Sequence, residues 1–330
     1  KVQRMNGYEV PYGYHDISKL RRMWWPRERV ALPGMEVQLH PAGHVLGARM
    51  IELRAEGKTV LYTGDFCLHD TEILEGCRPE ELPKRPDVLI METTYGGKLR
   101  PPRSILVHKL LERIVETIER EGNVLIPAFA FHRSQEISRR IDQAMQSGEI
   151  PKYNAYTISK LAQKITRHFR RYRRLLSRHV QDEDEDPFRY RYVKQLSRMR
   201  QMKEPAIAIC TSGFGHAGVS YRLLLGWAPD EDNSILISTG YVPPESPLVM
   251  AKEKGEIINN GVRIPVRAKV EQIELSGHAD QSELIQLVKT LKPKRTILVH
   301  GETEQAKALA EKILHLTQVD IPEKGDTLTI

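Results

Sequence analysis

Five short apolar segments of this sequence each lead to an ionisable side chain. MEVQL leads to His40 and His44, TVLYTG to Asp65, DVLIM to Glu92, IELSG to His278 and RTILV to His300. Apolar, β-branched segments bounded by Gly or Pro are typical of buried strands. In layered α/β folds, ligands bind beyond the carboxyl ends of the strands. The sequence therefore predicts an α/β fold in which several strand ends build one polar site.

The residue types at these positions narrow the chemistry. His44, Asp65 and His300 offer the nitrogen and oxygen ligands that zinc takes in open hydrolytic sites. Glu92 and His278 are suited to act as an acid–base pair beside a metal. A single histidine after a strand is more often a hydrogen-bonded structural residue than a ligand. Equivalent placement of all these residues on successive strands favours a metal-dependent site.

Five sequence motifs carry a resemblance to a known family. HPAGHVLGA, YTGDF, LIMETTYGG, SGHAD and LVHGE occur in this order and span nearly the whole chain. Together they resemble the β-CASP branch of the metallo-β-lactamase fold, the nucleases related to the cleavage and polyadenylation specificity factor endonuclease and to RNase J. The resemblance implies a metallo-β-lactamase αββα sandwich, incomplete at its N-terminus, with an inserted β-CASP α/β domain of mainly parallel sheet.

The order of predicted elements suggests where the inserted domain lies. A helical pattern from Ser104 to Glu121 is followed by a strand, NVLIPAFAF, and a second helix, RSQEISRRIDQAMQSG. Alternating strands and helices indicate a parallel sheet. We expect residues 1–96 to form the first, truncated segment of the metallo-β-lactamase domain, 97–275 the β-CASP domain, and 276–330 the returning segment.

The resemblance also implies roles for the site residues. In the family, two zinc ions act as Lewis acids on the phosphate. His44 would bind one ion, His300 the other, and Asp65 would bridge them. His278, supported by Glu92, would contact the scissile phosphate and assist the leaving oxygen. A histidine at position 300 favours RNA over DNA within this family, so the expected activity is that of a zinc-dependent ribonuclease, endonucleolytic or 5′-exonucleolytic.

One motif of the family does not occur in this sequence. H-x-H-x-D-H belongs upstream of His44, and without it three ligands remain, too few for two zinc ions. The sequence begins at Lys1 rather than Met, and we expect the motif to lie in the full-length protein. The alternatives are an inactive RNA-binding or scaffold relative and a DNA nuclease of the same fold.

The segment GFGHAG matches the dinucleotide-binding pattern G-x-G-x-x-G between a strand and a helix. The next strand, SILISTGY, has no acidic residue at its end to bind a ribose, which argues against a nucleotide cofactor. The resembled family has a glycine-rich loop here. We therefore expect Ser212, Gly213, His216 and Gly218 to contact RNA.

Other candidate RNA contacts lie elsewhere in the sequence. His132 and Arg133 occupy a strand-to-helix turn, where backbone N–H groups favour anions, and Ser276 precedes the SGHAD histidine. Residues 160–203 are basic with interleaved aromatics, which is compatible either with a phosphate-binding surface or with solvated helix faces. Residues 1–30, rich in Tyr and Trp, are expected to be irregular or partly helical.

Composition sets further limits on the protein. The chain of 330 residues is 40% hydrophobic and carries a net charge of +7, so it can bury a large core and attract a polyanion such as RNA. Cys67, Cys77 and Cys210 form no metal-binding spacing, which indicates a reduced, cytoplasmic protein, although a bridge between Cys67 and Cys77 is an alternative. No membrane span or signal peptide is expected. A homodimer or related subunits are possible partners.

Overall fold

The computed structural model describes His15 and residues 29–329. The lead-in predicted for residues 1–30 lies almost wholly outside these residues. The strands are β1 (Arg29–Leu32), β2 (Met35–Pro41), β3 (Arg49–Ala55), β4 (Lys58–Tyr62), β5 (Val88–Glu92), β6 (Val124–Pro127), β7 (Ala155–Ile158), β8 (Val193–Leu196), β9 (Ile207–Cys210), β10 (Ser234–Ile237), β11 (Glu256–Asn259), β12 (Val262–Pro265), β13 (Lys269–Gln272), β14 (Arg295–Val299) and β15 (Gln318–Asp320). The α-helices are α1 (Arg103–Glu119), α2 (Arg133–Ser147), α3 (Lys160–Arg171), α4 (Arg178–Gln181), α5 (Gly218–Trp227), α6 (Pro247–Lys254), α7 (Gln281–Leu291) and α8 (Thr303–Ile313). Short 3₁₀ turns cover Pro79–Glu81, Arg173–Leu175 and Met199–Gln201.

The first sheet combines the two ends of the described chain. Its seven strands lie in the order β1-β2-β3-β4-β5-β14-β15. β1 to β4 pair antiparallel, whereas β5, β14 and β15 continue the sheet in parallel. β14 lies directly beside β5, with Val299 opposite Glu92. This register brings the residues that follow β14 to the same sheet edge as the end of β5.

One face of the seven-stranded sheet carries a hydrophobic core. Leu61 and Leu89 point into it and are fully buried, together with Leu284 and Leu287 of α7 and Leu309 of α8. Alternate residues of a strand face opposite sides, so the neighbouring positions form the second face.

On that second face, Ile51 and Tyr62 are register partners and are 39% and 42% exposed. Within residues 29–329, helices therefore cover one face of this sheet, and the second sheet of an αββα sandwich is not among the described residues.

The second sheet has six strands in the order β13-β10-β6-β9-β7-β8, and all of its strand pairs are parallel. Cores on its two faces include residues of α1 and α2 on one side and of α5 and α6 on the other. The parallel sheet predicted from alternating strands and helices is thus confirmed. None of the described helices is long and apolar enough to cross a membrane.

The prediction that NVLIPAFAF is one strand is wrong in its second half. β6 ends at Pro127, and the chain turns through residues 128–132 into α2. His132 takes a left-handed φ of 69°, which an extended strand does not allow. Phe129 and Phe131 consequently lie in the turn and are 42% and 41% exposed.

The cysteines are free and buried. The Cys77 thiol lies 3.9 Å from the Met50 sulfur, and the Cys67 sulfur lies 3.2 Å from His69 Nδ1. The Cys67–Cys77 bridge considered from the sequence is therefore not formed. The thiol pKa of Cys67 is raised, chiefly by burial, which disfavours the thiolate.

Residues 160–203 also contain an acidic block, DEDED at 182–186, which pairs with nearby arginines. Arg170 pairs with Asp186 at 2.6 Å, and Arg139 of α2 pairs with Glu183. α3 buries Ala162, Thr166 and Phe169 on its inner side. The remaining basic residues of α3 lie on its outer face. Residues 160–203 therefore remain compatible with a phosphate-binding surface and with solvated helix faces.

Candidate active site

The five predicted site residues converge at one edge of the seven-stranded sheet. One ligand atom from each of Asp65, Glu92, His278 and His300 lies within 4.8 Å of the others. His44 approaches the same group, since its Nε2 atom is 3.9 Å from Asp65 Oδ2. Residues that are far apart in sequence meet here because β5 and β14 are neighbouring parallel strands. The structure therefore brings all five together.

His278 and Glu92 form a hydrogen-bonded pair. His278 Nδ1 donates to Glu92 Oε2 at 2.8 Å, and the Glu92 side chain is 1% exposed. The same carboxylate accepts hydrogen bonds from Thr94 Oγ1 at 2.5 Å and from the Phe66 amide at 2.8 Å. These donors satisfy a buried carboxylate. They also hold the imidazole so that its Nε2 atom is the one available for proton transfer.

His44 is oriented by the chain segment that precedes His278. Its Nδ1–H donates to the carbonyl oxygen of Gly277 at 2.8 Å, which leaves Nε2 directed towards Asp65. Burial lowers the pKa of His44 below its usual range, and the neighbouring His278 adds to this effect. A Cβ atom at position 277 would lie 2.7 Å from the His44 carbonyl oxygen, so glycine is required for this approach.

His300 lies at the open side of the site. Its Nδ1 atom is 2.8 Å from Asp65 Oδ1, and its side chain is 58% exposed. The residue follows β14 with a left-handed φ of 51°. Its carbonyl oxygen accepts a hydrogen bond from the Thr93 amide at 3.1 Å, which ties the turn to the end of β5.

The donor set fits a zinc ion. Zinc lies about 2.0–2.2 Å from His nitrogen and carboxylate oxygen, so two ligands of one ion are at most about 4 Å apart. The distances of 3.9 Å from His44 to Asp65 and 2.8 Å from His300 to Asp65 fall within that limit. The hydrogen bond from His44 Nδ1 to a carbonyl is also the arrangement that metal-binding histidines adopt. His44, Asp65 and His300 are thus the residues that would hold zinc.

Arg100 supports the segment around His278 and has no sequence signal of its own. Its side chain is 5% exposed, and it donates to the carbonyl oxygens of Ser276 and His278. The guanidinium lies over the Tyr95 ring, 4.9 Å from its centroid. The segment LRPPR contains no motif that would have identified this contact.

A cavity of about 450 Å³ opens on the site and includes three of the predicted RNA contacts. His132, Arg133 and Ser276 line it together with His44, His278 and His300. The other predicted contacts, Ser212, Gly213, His216 and Gly218, are not part of its lining. His216 is exposed, and its ring lies against Phe214 with centroids 6.2 Å apart.

His132 and Arg133 are held within the protein. His132 is 1% exposed, and neither ring nitrogen has a hydrogen-bond partner among the described residues. Burial lowers its pKa to about 3. Arg133 forms an ion pair with Glu136, which is also paired with Arg103. Although burial alone would raise the pKa of Glu136, the two guanidinium groups hold it at about 2.

His69 and Asp70 make hydrogen bonds and ion pairs that hold the loop after Asp65 in place. His69 Nδ1 lies 3.0 Å from Glu283 Oε1, which also accepts the His69 amide at 2.9 Å. Asp70 pairs with Arg78 at 2.7 Å. Glu283 belongs to the capping box of α7 with Asp280. Both loop residues are thus held by hydrogen bonds within the protein.

Two domain families match this chain. Residues 134–247 match the Beta-Casp domain, and residues 263–322 match the Zn-dependent metallo-hydrolase RNA specificity domain. These matches confirm the resemblance seen in the sequence motifs, and with it the metallo-β-lactamase fold with an inserted β-CASP domain.

Individual proteins similar to this chain agree with the two domain matches. An RNase J-like protein of Methanocaldococcus jannaschii is 33% identical over 332 residues, which cover 96% of this chain and 76% of that protein. Endoribonuclease YSH1 of Mycosarcoma maydis is 32% identical over 82% of this chain and 31% of its own length. Endoribonuclease ysh1 of Schizosaccharomyces pombe is 33% identical over 88% of this chain and 40% of its own.

The chain thus spans between 31% and 40% of the length of these two endoribonucleases. It spans a much larger share, 76%, of the RNase J-like protein. The domain matches, the motifs and the assembled site agree with this relationship. The chain belongs to the β-CASP family of metallo-β-lactamase-fold ribonucleases.

Proposed function

We propose that the full-length protein hydrolyses phosphodiester bonds of RNA in the cavity beside His278. One observation carries this proposal: the hydrogen-bonded His278–Glu92 pair lies against the group of metal donors formed by His44, Asp65 and His300. An acid–base residue and a metal site within reach of one substrate atom are the elements of metal-assisted hydrolysis.

The chain's own residues would perform the proton transfer. Glu92 holds the Nδ1–H of His278, so Nε2 can take up a proton and deliver it to the leaving oxygen. Buried Glu92 also stabilises the imidazolium that forms during this exchange. Arg100 fixes the backbone on which His278 lies. His278 is therefore the proposed catalytic residue, and Glu92 and Arg100 position it.

Zinc held by His44, Asp65 and His300 would supply Lewis-acid stabilisation of the phosphate charge. We further propose two zinc ions per site in the full-length protein, with the H-x-H-x-D-H motif of the family as the source of the remaining ligands. The assignment of residues 97–275 to the β-CASP domain stays a prediction. A cytoplasmic location and a homodimer or related subunits as partners are also predictions.

The proposal is tested by RNA cleavage with the full-length protein. His278→Ala and Asp65→Ala should each reduce cleavage by roughly 10²-fold or more, with the fold verified by circular dichroism. His315→Ala is the matched control, because this histidine is exposed, lies outside the cavity lining and is not among the predicted RNA contacts. Unchanged cleavage by the His278 and Asp65 variants would refute the assignment.

Two further substrates test whether the protein prefers RNA to DNA and whether it cleaves internally or from the 5′ end. We expect a matched single-stranded DNA to be cleaved more slowly than the RNA; faster DNA cleavage would favour a DNA nuclease. A 5′-blocked RNA distinguishes internal cleavage from 5′-exonucleolytic cleavage. RNA binding without cleavage by the zinc-loaded wild-type protein would instead support the alternative of an inactive RNA-binding relative.

A further inference from the structure

Exposed aromatic rings are concentrated in the catalytic cavity. Phe129, Phe131 and Tyr241 are 42%, 41% and 47% exposed, and all three line it. Among the described residues, the remaining strongly exposed aromatic side chain is Tyr62, on the open sheet face. Leaving large rings in water forgoes the free energy of burying them. Their concentration around His278 and His300 therefore points to a ligand that covers them.

The two phenylalanine rings are held from behind by other aromatics. Phe129 meets Phe214 edge to face, with centroids 5.0 Å apart and planes at 84°. Phe131 meets the fully buried Phe169 at 5.7 Å and 64°. These contacts fix the rings and leave part of each turned to the cavity. A ring that is already ordered loses little conformational entropy when a ligand stacks on it.

The glycine-rich loop contributes to this arrangement. A Cβ atom at position 213 would lie 2.9 Å from Phe129 Cδ1, so the ring rests directly on the Gly213 backbone. Phe214, the next residue, supplies the edge-to-face partner. The GFGHAG segment thus builds one wall of the cavity through its packing, while Gly213 and His216 do not line the cavity themselves.

We propose that Phe129, Phe131 and Tyr241 form a stacking site for unpaired nucleobases of the nucleic acid whose phosphate lies at His278. This inference rests on the proposed function and specifies its substrate as single-stranded. Bases stack on aromatic rings through faces that every base shares, so the site tolerates sequence variation. A base inside a duplex has no free face to offer, so paired substrates must be opened first.

Affinity measurements test the stacking site apart from hydrolysis. Full-length protein carrying His278→Ala, which is expected to suppress cleavage, is titrated with a fluorescently labelled single-stranded RNA. Adding Phe131→Ala should weaken binding roughly 5- to 100-fold, and Phe131→Tyr should restore it. The slope of log affinity against log salt should stay the same, because no charge is removed. Ile105→Ala is the control, since Ile105 is 55% exposed outside the cavity.

A series of RNAs, each lacking one base, shows whether the ring contacts a base. Loss of the stacked base should weaken binding to the His278→Ala protein, but not further weaken binding once Phe131 is also Ala. The stacking proposal is overturned if Phe131→Ala leaves affinity unchanged, if it changes the salt slope alone, or if every abasic RNA loses the same affinity in both proteins.

Cleavage by the wild-type protein separates the two proposals. If the wild-type protein cleaves RNA but Phe131→Ala leaves the affinity for RNA unaltered, the stacking site is refuted and the proposed function stands. Base-dependent RNA binding without cleavage would refute hydrolysis and leave the stacking site standing. Absence of RNA binding by the His278→Ala protein would overturn the stacking proposal.

Discussion

The Nδ1 atom of His44 lies 2.8 Å from the carbonyl oxygen of Gly277, although 233 positions separate the two residues in the chain. The contact joins the loop after β2 to the segment that carries His278. The His44 and His278 rings lie close together as a result, with centroids 4.5 Å apart. One hydrogen bond therefore sets the distance between a proposed zinc ligand and the proposed acid–base residue.

Gly277→Ala should impair the site through this contact. The added Cβ would lie 2.7 Å from the His44 carbonyl oxygen, which forces the two segments apart. A misplacement near 1 Å can cost about 10²-fold in rate, so we expect a fall in kcat of at least tenfold. Gly226→Ala, where nothing lies within 4 Å of the new Cβ, is the control. Wild-type RNA cleavage by the Gly277 variant would contradict the prediction.

Glu92→Gln should lower kcat for RNA cleavage by roughly 10²-fold or more while KM changes little. The amide retains the size of the side chain but removes the charge that stabilises protonated His278. Glu52→Gln is a close control, because Glu52 is also buried and lies 2.7 Å from a histidine, His40, outside the cavity lining. Equal losses in both variants would indicate a general effect on folding.

Zinc binding should depend on His44 and not on His69. Loss of a hydrogen-bond partner of a metal ligand weakens metal binding by roughly 10–100-fold. We expect His44→Ala to weaken zinc binding by more than this, because it removes the proposed ligand itself. His69→Ala should retain zinc at the site, because His69 lies with Glu283 and Cys67 in a second group of donor side chains, separate from that of Asp65 and His300. Metal content by mass spectrometry after dialysis gives the comparison. A chelator should abolish RNA cleavage, and added zinc should restore it; zinc loss in the His69 variant alone would contradict the assignment.

His132 should make the protein less stable as the pH falls below 6.5. Burial lowers its folded pKa from 6.5 to about 3, so between these values the unfolded chain binds a proton that the folded chain does not. The free energy of unfolding then falls by about 1.4 kcal/mol per pH unit through this residue alone.

Replacing His132 tests this linkage. His132→Asn removes the titrating group, and Asn adopts a positive φ more readily than most other residues. Urea denaturation below pH 6.5 should show a shallower pH dependence for this variant than for the parent. His216→Asn, at an exposed position, should match the parent. Parallel curves for the His132 variant and the parent would show that the buried imidazole does not titrate as expected.

The sequence alone was sufficient to predict the fold class and the convergence of five ionisable residues. Apolar segments with Gly or Pro at their ends report strand positions locally, and parallel strands present their carboxyl ends at one edge. The strand pattern therefore predicts that five residues meet at one sheet edge, namely His44, Asp65, Glu92, His278 and His300. The end of β6 was less predictable, because the apolar pattern continues through Phe131 after the strand has stopped.

Only the tertiary structure decided which other side chains reach the cavity. Phe129 and Phe131 look like core residues in sequence, yet contacts with Phe214 and Phe169 turn them towards the site. Conversely, GFGHAG looks like a ligand-binding loop but packs against Phe129. The orientation of a side chain depends on neighbours that are distant in sequence, and no local pattern encodes those neighbours. The local sequence determines the strands and the ionisable residues that follow them, whereas packing between distant segments determines which side chains line the cavity.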